Sequence, residues 1–315
     1  MTDCPVCGRP SVRKFEIYDD RYGFAGLFGL MHCRNCGHRF LHGAHFSDAE
    51  IQALYSDHYP RRSMRPEDYR SEVERAGFRA WLDGAKASAF RWVSPNIRVL
   101  DIGCGFGQAL DYHAKRGCEA WGVESDENVK QIVDLKGLNV RIGVFNPEQF
   151  PQSYFDVVTL DQVIEHMRDP VATLAGVRKV LKPGGTVILS TPNVEGWGAK
   201  VFGSWWINWH APYHLHFFTA RSMQLAANRA GLDSRVLGTV TSSEWLLYQW
   251  IHLATRPVCG RPSKFWANAG SFTAVEKIGL KIASLLHRRK INHLITRLFD
   301  GMGVGDSQLF ILRRD

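Results

Sequence analysis

Apolar positions along this chain change rhythm repeatedly, and each change marks an element. Short unbroken apolar runs at Ile97 to Leu100, Ala120 to Val123, Phe155 to Leu160 and Thr186 to Ser190 predict buried strands. Between them, Gln108 to Arg116 and Val171 to Leu181 have helical spacing, and Pro170 stands where the second of these helices starts. Strand–helix alternation of this kind predicts an α/β fold. Upstream, Ser71 to Trp92 reads as a helix leading into the first core strand, and Phe46 to Tyr55 as a shorter one capped by Ser47 with Glu50 three residues on. Downstream, Thr219 caps a helix that Gly231 ends, and Ser234 to Val240 and Ser307 to Arg313 read as strands. The segment 241–300 interrupts them with two amphipathic stretches. Val275, Ile278, Ile282, Leu285 and Leu286 share one face, and Ile291, Leu294, Ile295, Leu298 and Phe299 repeat the pattern. A helical lid or dimer surface packed on the core is the plainest expectation for it.

The strongest chemical signal is Asp101-Ile-Gly-Cys-Gly-Phe-Gly107, between the first core strand and its helix. Gly103, Gly105 and Gly107 allow a sharp turn and a close ligand approach. Asp101 places negative charge where a pyrophosphate binder would avoid it. Glu124 ends the next strand, where a ribose diol is usually held. Together they predict an adenosyl ligand that is phosphate-free and cationic, which S-adenosylmethionine satisfies. These residues resemble the class I S-adenosylmethionine-dependent methyltransferases, and Leu-Lys182-Pro-Gly-Gly185 is a further mark of that family. The resemblance, from Asn96 to about Gly238, implies a seven-stranded Rossmann-like sheet with helices on both faces. It puts Ser307 to Arg313 antiparallel at the edge, beside the fifth strand. It also implies cofactor contacts from Cys104 and Ser125, from Phe145 and Asn146 near adenine, and from Asp161 and Gln162 after the fourth strand.

Seven cysteines include two CxxC pairs, Cys4/Cys7 and Cys33/Cys36, each followed by glycine. Four thiolates in this spacing predict a closed, structural Zn2+ site, with His32 and His38 as neighbouring substitutes. So short and glycine-rich a module depends on its metal for stability. A zinc module ahead of this core resembles bacterial methyltransferases of sugar and glycan biosynthesis. Sugar C-methyltransferases of that type carry a further C-terminal domain that this chain is expected to lack, so the resemblance implies a glycan-type acceptor and leaves O-, N- or C-methylation open.

Acceptor chemistry is expected after the fourth and fifth strands. Glu165-His166 resembles small-molecule O-methyltransferases, some of which hold a divalent metal with an acid-x-x-Glu-His array. Gln162 stands at the first acid here, so no catalytic metal is expected. The segment Trp205-Trp206-Ile-Asn-Trp209-His210-Ala-Pro-Tyr213-His214-Leu-His216 resembles the acceptor segment of glycan methyltransferases. Aromatic faces suit sugar rings or an isoprenoid, and His214 is the expected base, with His210, His216 and His166 as rivals. Read without the resemblance, the tryptophans are core and the histidines local hydrogen-bonders.

A formal net charge of +8 favours an anionic partner: a nucleotide-linked substrate, nucleic acid or a membrane surface. Lys277, Lys281, Arg288, Arg289, Lys290 and Arg297 make the insertion's polar side basic, as in helices that lie on anionic membranes. The start has neither the basic nor the apolar region of a signal peptide, so the expected location is cytoplasmic, with contact at the inner membrane face through 241–300 as a further expectation. The expected organisation is a zinc ribbon (1–45), a helical linker region (46–95, with 61–70 polar and basic), a core (96–240), a helical insertion (241–300) and a last strand (301–315). The leading functional expectation is methyl transfer to a glycan, nucleotide-sugar or lipid-linked acceptor. An RNA methyltransferase and a non-catalytic S-adenosylmethionine-binding module are the alternatives.

Overall fold

The computed structural model describes residues 2–42, 46, 47, 50, 54 and 65–315. Four strands open the chain: β1 (Thr2–Asp3), β2 (Pro10–Ile17), β3 (Phe28–His32) and β4 (Arg39–His42). After α1 (Gly77–Asp83) the βα alternation begins with β5 (Arg98–Ile102), α2 (Gln108–Lys115), β6 (Glu119–Glu124), α3 (Lys130–Leu135) and β7 (Val140–Ile142). It continues with β8 (Phe155–Asp161), α4 (Pro170–Val180), β9 (Leu181–Pro192) and α5 (Trp197–Val201). Then come β10 (His216–Phe217), α6 (Ala220–Arg229), β11 (Asp233–Thr239), α7 (Ser243–Thr255), α8 (Ala274–Arg288), α9 (Ile291–Gly301) and β12 (Ser307–Arg313).

The large sheet has seven strands in the order β11-β12-β9-β8-β5-β6-β7. Strands β5 to β9 run parallel, and β12 is antiparallel to both β9 and β11. The last strand therefore lies beside the fifth core strand, as expected, but the sheet edge belongs to β11. Chain order reverses between β5 and β8, and a doubly wound sheet opens its ligand crevice at such a switch point. Local signals place the helices. The Asp169 carboxylate accepts the Ala172 N–H at 2.9 Å with Pro170 at the first helical position, and Thr219 and Ser222 form a reciprocal capping box. Ser47 and Glu50 are bonded in the same reciprocal way, while residues 48, 49, 51–53 and 55 of the expected 46–55 helix, like residues 61–64 of the linker, lie outside the described residues.

Two elements differ from expectation. The 71–92 region is not one helix: α1 starts at Gly77 and stops at left-handed Gly84, and 3-10 turns follow at Ala85–Ala87 and Ala89–Trp92. A Cβ at Gly84 would fall 2.2 Å from the Thr241 carbonyl, so the break is also a close contact with the insertion. The Lys182–Gly185 turn is absorbed into β9 as an irregularity, across which pairing jumps from Phe155 with Leu181 to Val157 with Thr186.

The cysteine module is built into the core rather than tethered to it. Cys4, Val6, Cys33, Cys36 and Phe40 share one buried cluster with Leu100, Ile102, Val123, Phe218 and Met223. Its sheet is closed by a strand of the later chain, since β10 pairs antiparallel with β4. Arg229 of α6 donates to the Val6 carbonyl at 2.5 Å, and the Thr219 hydroxyl donates to the Cys36 carbonyl at 3.0 Å.

Candidate active site

A cavity of about 1110 Å³ opens at the switch point. One wall is made by strand ends. Gly103, Gly105 and Gly107 all have positive φ, and a Cβ on Gly103 or Gly107 would come 2.4 Å from Val163 or Leu138. Glycine is thus required there for conformation and for space. The Glu124 carboxylate accepts the Gly105 N–H at 2.8 Å and the Asp126 N–H at 3.0 Å, which fixes it at the rim of the turn. Beneath the turn, Asp101 accepts the Thr159 hydroxyl at 2.6 Å, and burial pushes its carboxyl up to about 7. Asp161 ends β8, accepts the Ser190 hydroxyl, and is likewise raised by burial. Because β8, β5 and β6 are neighbours, these three acids gather at the strand ends, with Glu124 and Asp161 lining one end of the cavity and Asp101 buried behind it. That end suits a cation and disfavours phosphate.

Of the cofactor residues expected from sequence, Gly103, Glu124, Ser125, Phe145, Asp161 and Gln162 line the cavity. Asp101, Cys104, Gly105, Gly107 and Asn146 do not. Asp101 and Cys104 are buried beneath the turn, while Gly105 and Gly107 shape it. Asn146 is exposed and its side-chain oxygen accepts the Glu148 N–H at 3.1 Å, so a turn cap occupies the atom expected to meet adenine. Gln162 donates to the Ser190 and Ser307 hydroxyls at 3.0 and 3.2 Å.

Histidines form the opposite wall. His166 Nδ1 lies 2.8 Å from the Tyr213 carbonyl, and His214 Nδ1 lies 2.8 Å from the Asn208 carbonyl. A carbonyl only accepts, so both rings carry the proton on Nδ1 and present a basic Nε2. The two rings meet edge to face at 4.6 Å, and His210 stands 5.0 Å from His214 while stacking on Tyr213. His214 does not keep the ordinary histidine value assumed for a base. Burial first, then His166 and Arg21, hold it well below 6.5, and burial does the same to His210. Both rings are neutral near pH 7. His216 also lines the cavity, but its Nδ1 lies 3.1 Å from His38 Nε2 of the cysteine module, and burial lowers it to about 4.

Arg21 was not anticipated here, and Glu165 was noted in the sequence only as His166's neighbour. Glu165 is fully buried. One oxygen accepts the Thr191 hydroxyl at 3.0 Å, the other has no hydrogen-bond partner among the described residues, and burial raises the group to about 8. Donor atoms of Glu165, His166 and His214 lie within 4.8 Å of one another, a set able to hold a divalent cation. The expectation of no catalytic metal rested on Gln162 alone and did not take in His214, which a distant loop supplies. Arg21 also reaches the cavity, pinned by the Ile207 carbonyl at 2.8 Å and by the Trp266 ring face. Its only sequence signal was a charged run inside the cysteine module. Phe40, Leu41 and His42 complete this wall.

The cysteines fit the zinc expectation. Cys4 and Cys36 sulfurs lie 3.7 Å apart and Cys7 and Cys33 sulfurs 3.5 Å apart, near the edge of about 3.8 Å that four Zn–S bonds of about 2.3 Å dictate. Both knuckles repeat one turn, in which the Gly8 and Gly37 N–H groups donate to the Cys4 and Cys33 carbonyls at 2.8 Å. His38 faces His216 and is no ligand, and neither it nor His32 belongs to the cysteine cluster.

Comparison with known proteins identifies the family of the core. A family model described as a methyltransferase domain matches residues 61–235. A ubiquinone biosynthesis O-methyltransferase of Cereibacter sphaeroides is 32% identical over 149 residues, 44% of this chain and 60% of that protein. One of the same name from Saccharophagus degradans is 36% identical over 104 residues, 30% of this chain and 44% of that protein. The chain thus spans less than two thirds of the length of either relative. Among solved structures, a SAM-dependent methyltransferase from Archaeoglobus fulgidus aligns with 72% of this chain and 88% of its own at 18% identity and a TM-score of 0.44.

Proposed function

The chain belongs to the methyltransferase domain family, and on that premise we propose that it transfers a methyl group from S-adenosylmethionine to a hydroxyl of a small-molecule acceptor. The observation that carries this reading is one cavity with two unlike ends, acidic at the strand tips and histidine-lined opposite. Bound S-adenosylmethionine supplies an electrophilic methyl. Glu124 would hold the ribose hydroxyls and Ser125 and Phe145 would flank the adenosyl group. Asp101, Asp161 and the negative potential they share would favour the cationic end. At the other end His214 Nε2 would take the hydroxyl proton, with His166 and His210 fixing the ring's surroundings. If a divalent cation binds, Glu165, His166 and His214 Nε2 would hold it instead, and the cation, in place of a free His214 base, would polarise the hydroxyl.

A base held well below 6.5 works best on an acidic hydroxyl. That favours a phenol-like or otherwise polarised acceptor over an unassisted sugar hydroxyl. Glycan, nucleotide-sugar and lipid-linked acceptors fit if the cation does the polarising. The experiment is transfer of labelled methyl from S-adenosylmethionine into lipid, nucleotide-sugar, phenolic and RNA fractions of a strain lacking the protein. Label in a small-molecule or lipid fraction supports the reading, label confined to RNA replaces it, and no label in any fraction favours a binding module.

A further inference from the structure

The insertion wears its amphipathic pattern inside out. On α8, small residues face the protein: Ala283 is buried, and a Cβ on Gly279 would fall 2.8 Å from the Ala254 Cβ of α7. The large apolar side chains of the same helix point outward, with Val275 79%, Ile278 58% and Ile282 53% exposed. In α9 the buried residues are polar: Asn292, His293, Thr296 and Arg297. Asn292 accepts the Trp250 N–H at 3.0 Å, and Arg297 binds the Trp81 carbonyl at 2.7 Å and the Asp300 carboxylate at 2.6 Å. Leu294 and Leu298 of α9 are about as exposed as Ile278, at 60% and 61%. Arg297 also ties α1 against α9, and α1 presents Phe78 and Trp81 to solvent at 71% and 56%. So three helices leave part of their larger apolar residues uncovered, while others such as Phe299, stacked on Trp197 at 4.5 Å, pack inward.

We propose that α1, α8 and α9 form a docking surface for an anionic lipid bilayer. Charge chooses this occupant. Lys277, Lys281, Arg288, Arg289 and Lys290 are all exposed on or between the two insertion helices. The acids near them are engaged or few: Glu276 pairs with Lys264 at 2.8 Å, Asp83 with Lys290 at 3.3 Å and His293 at 3.2 Å, Asp300 with Arg297, and Glu244 lies at the start of α7. Apolar side chains flanked by cations match headgroups above an acyl layer, and Trp81 suits that boundary. A symmetric dimer through this face would set the same cations against their own copies. No helix among the described residues is long and apolar enough to cross a membrane, so the mode is lying on the surface. Trp245, on the α7 helix beneath, lines the cavity, which would bring its mouth toward a lipid-borne acceptor if the methyl-transfer reading holds.

The test is sedimentation of the full zinc-loaded chain with vesicles of phosphatidylcholine alone or mixed with phosphatidylglycerol. Binding should be at least about tenfold tighter to the anionic vesicles and should weaken as salt rises. Lys277→Gln with Lys281→Gln should cost about tenfold. Ile282→Glu with Leu298→Glu should abolish binding while leaving melting and S-adenosylmethionine affinity unchanged, because both side chains are exposed. Equal or absent binding to the two vesicle types would overturn the proposal. So would a dimer in sedimentation velocity that the Ile282→Glu, Leu298→Glu pair dissociates. Failure of methyl transfer with intact lipid binding would count against the reaction alone.

Discussion

The two walls of the cavity were assembled in opposite ways. The strand-end wall comes from consecutive βα units: Asp101, the glycine turn and Glu124 lie within one short stretch, and their geometry follows from strand pairing and a turn. The histidine wall draws on Arg21, His166, His210, His214 and Trp245, with Glu165 close behind His166 and His214, residues from distant parts of the chain that tertiary packing brings together. The first wall has backbone-fixed carboxylates suited to one ligand. The second depends on the cysteine module, whose sheet is completed by β10, two residues beyond His214. On the proposed function, cofactor holding would be local and acceptor handling a property of the whole fold.

The largest break should come from Cys33→Ser. An independently folded ribbon would melt alone and leave the core intact. Because Cys33 belongs to the same buried cluster as Ile102 and Val123, loss of the metal should instead lower a single cooperative transition by about 10 °C or more and remove turnover. Scanning calorimetry with elemental analysis checks this: one zinc per wild-type chain, less in the variant, and one peak in both. Two separate peaks would restore the tethered-ribbon view.

Smaller and confined to one wall is the effect of His214→Ala. Turnover should fall by about 10²–10⁴-fold, and His214→Gln should not rescue it, because an amide cannot take the proton. Steady-state kinetics on the acceptor identified by labelling is the check, and near-normal turnover in both variants would reduce His214 to packing.

A still smaller effect should come from pH and belong to the other wall. Asp101 holds its proton up to about 7, so its carboxylate forms as pH rises through that value. Affinity for the sulfonium of S-adenosylmethionine should increase by up to about tenfold between about pH 6 and about pH 8. S-adenosylhomocysteine, which lacks that charge, should show a flatter profile by calorimetry.

How much the sequence disclosed follows the same division. Strand runs, helix caps, the glycine turn, both acids and the cysteine knuckles were legible because their signals are local. The merging of cysteine module and core was not, since Val6 and Phe40 look alike whether they face a small core or a large one. Asn146 carries a local job that its sequence position does not announce, capping a turn through the Glu148 N–H. Gln162 pointed away from a metal, whereas the Glu165, His166, His214 set needs a loop dozens of residues downstream. The insertion showed its amphipathic period but not its direction: small residues such as Ala283 and Gly279 set the helix contact and turn the larger ones outward.

The most direct test is calorimetric titration of S-adenosylmethionine into wild type, Glu124→Ala and His214→Ala, side by side. If cofactor holding belongs to the strand-end wall, wild type and His214→Ala should bind equally. Glu124→Ala should lose about 1.5–3 kcal/mol, the range for hydrogen bonds to a charged group. Equal losses in the two variants, or no binding by the wild type, would contradict the account.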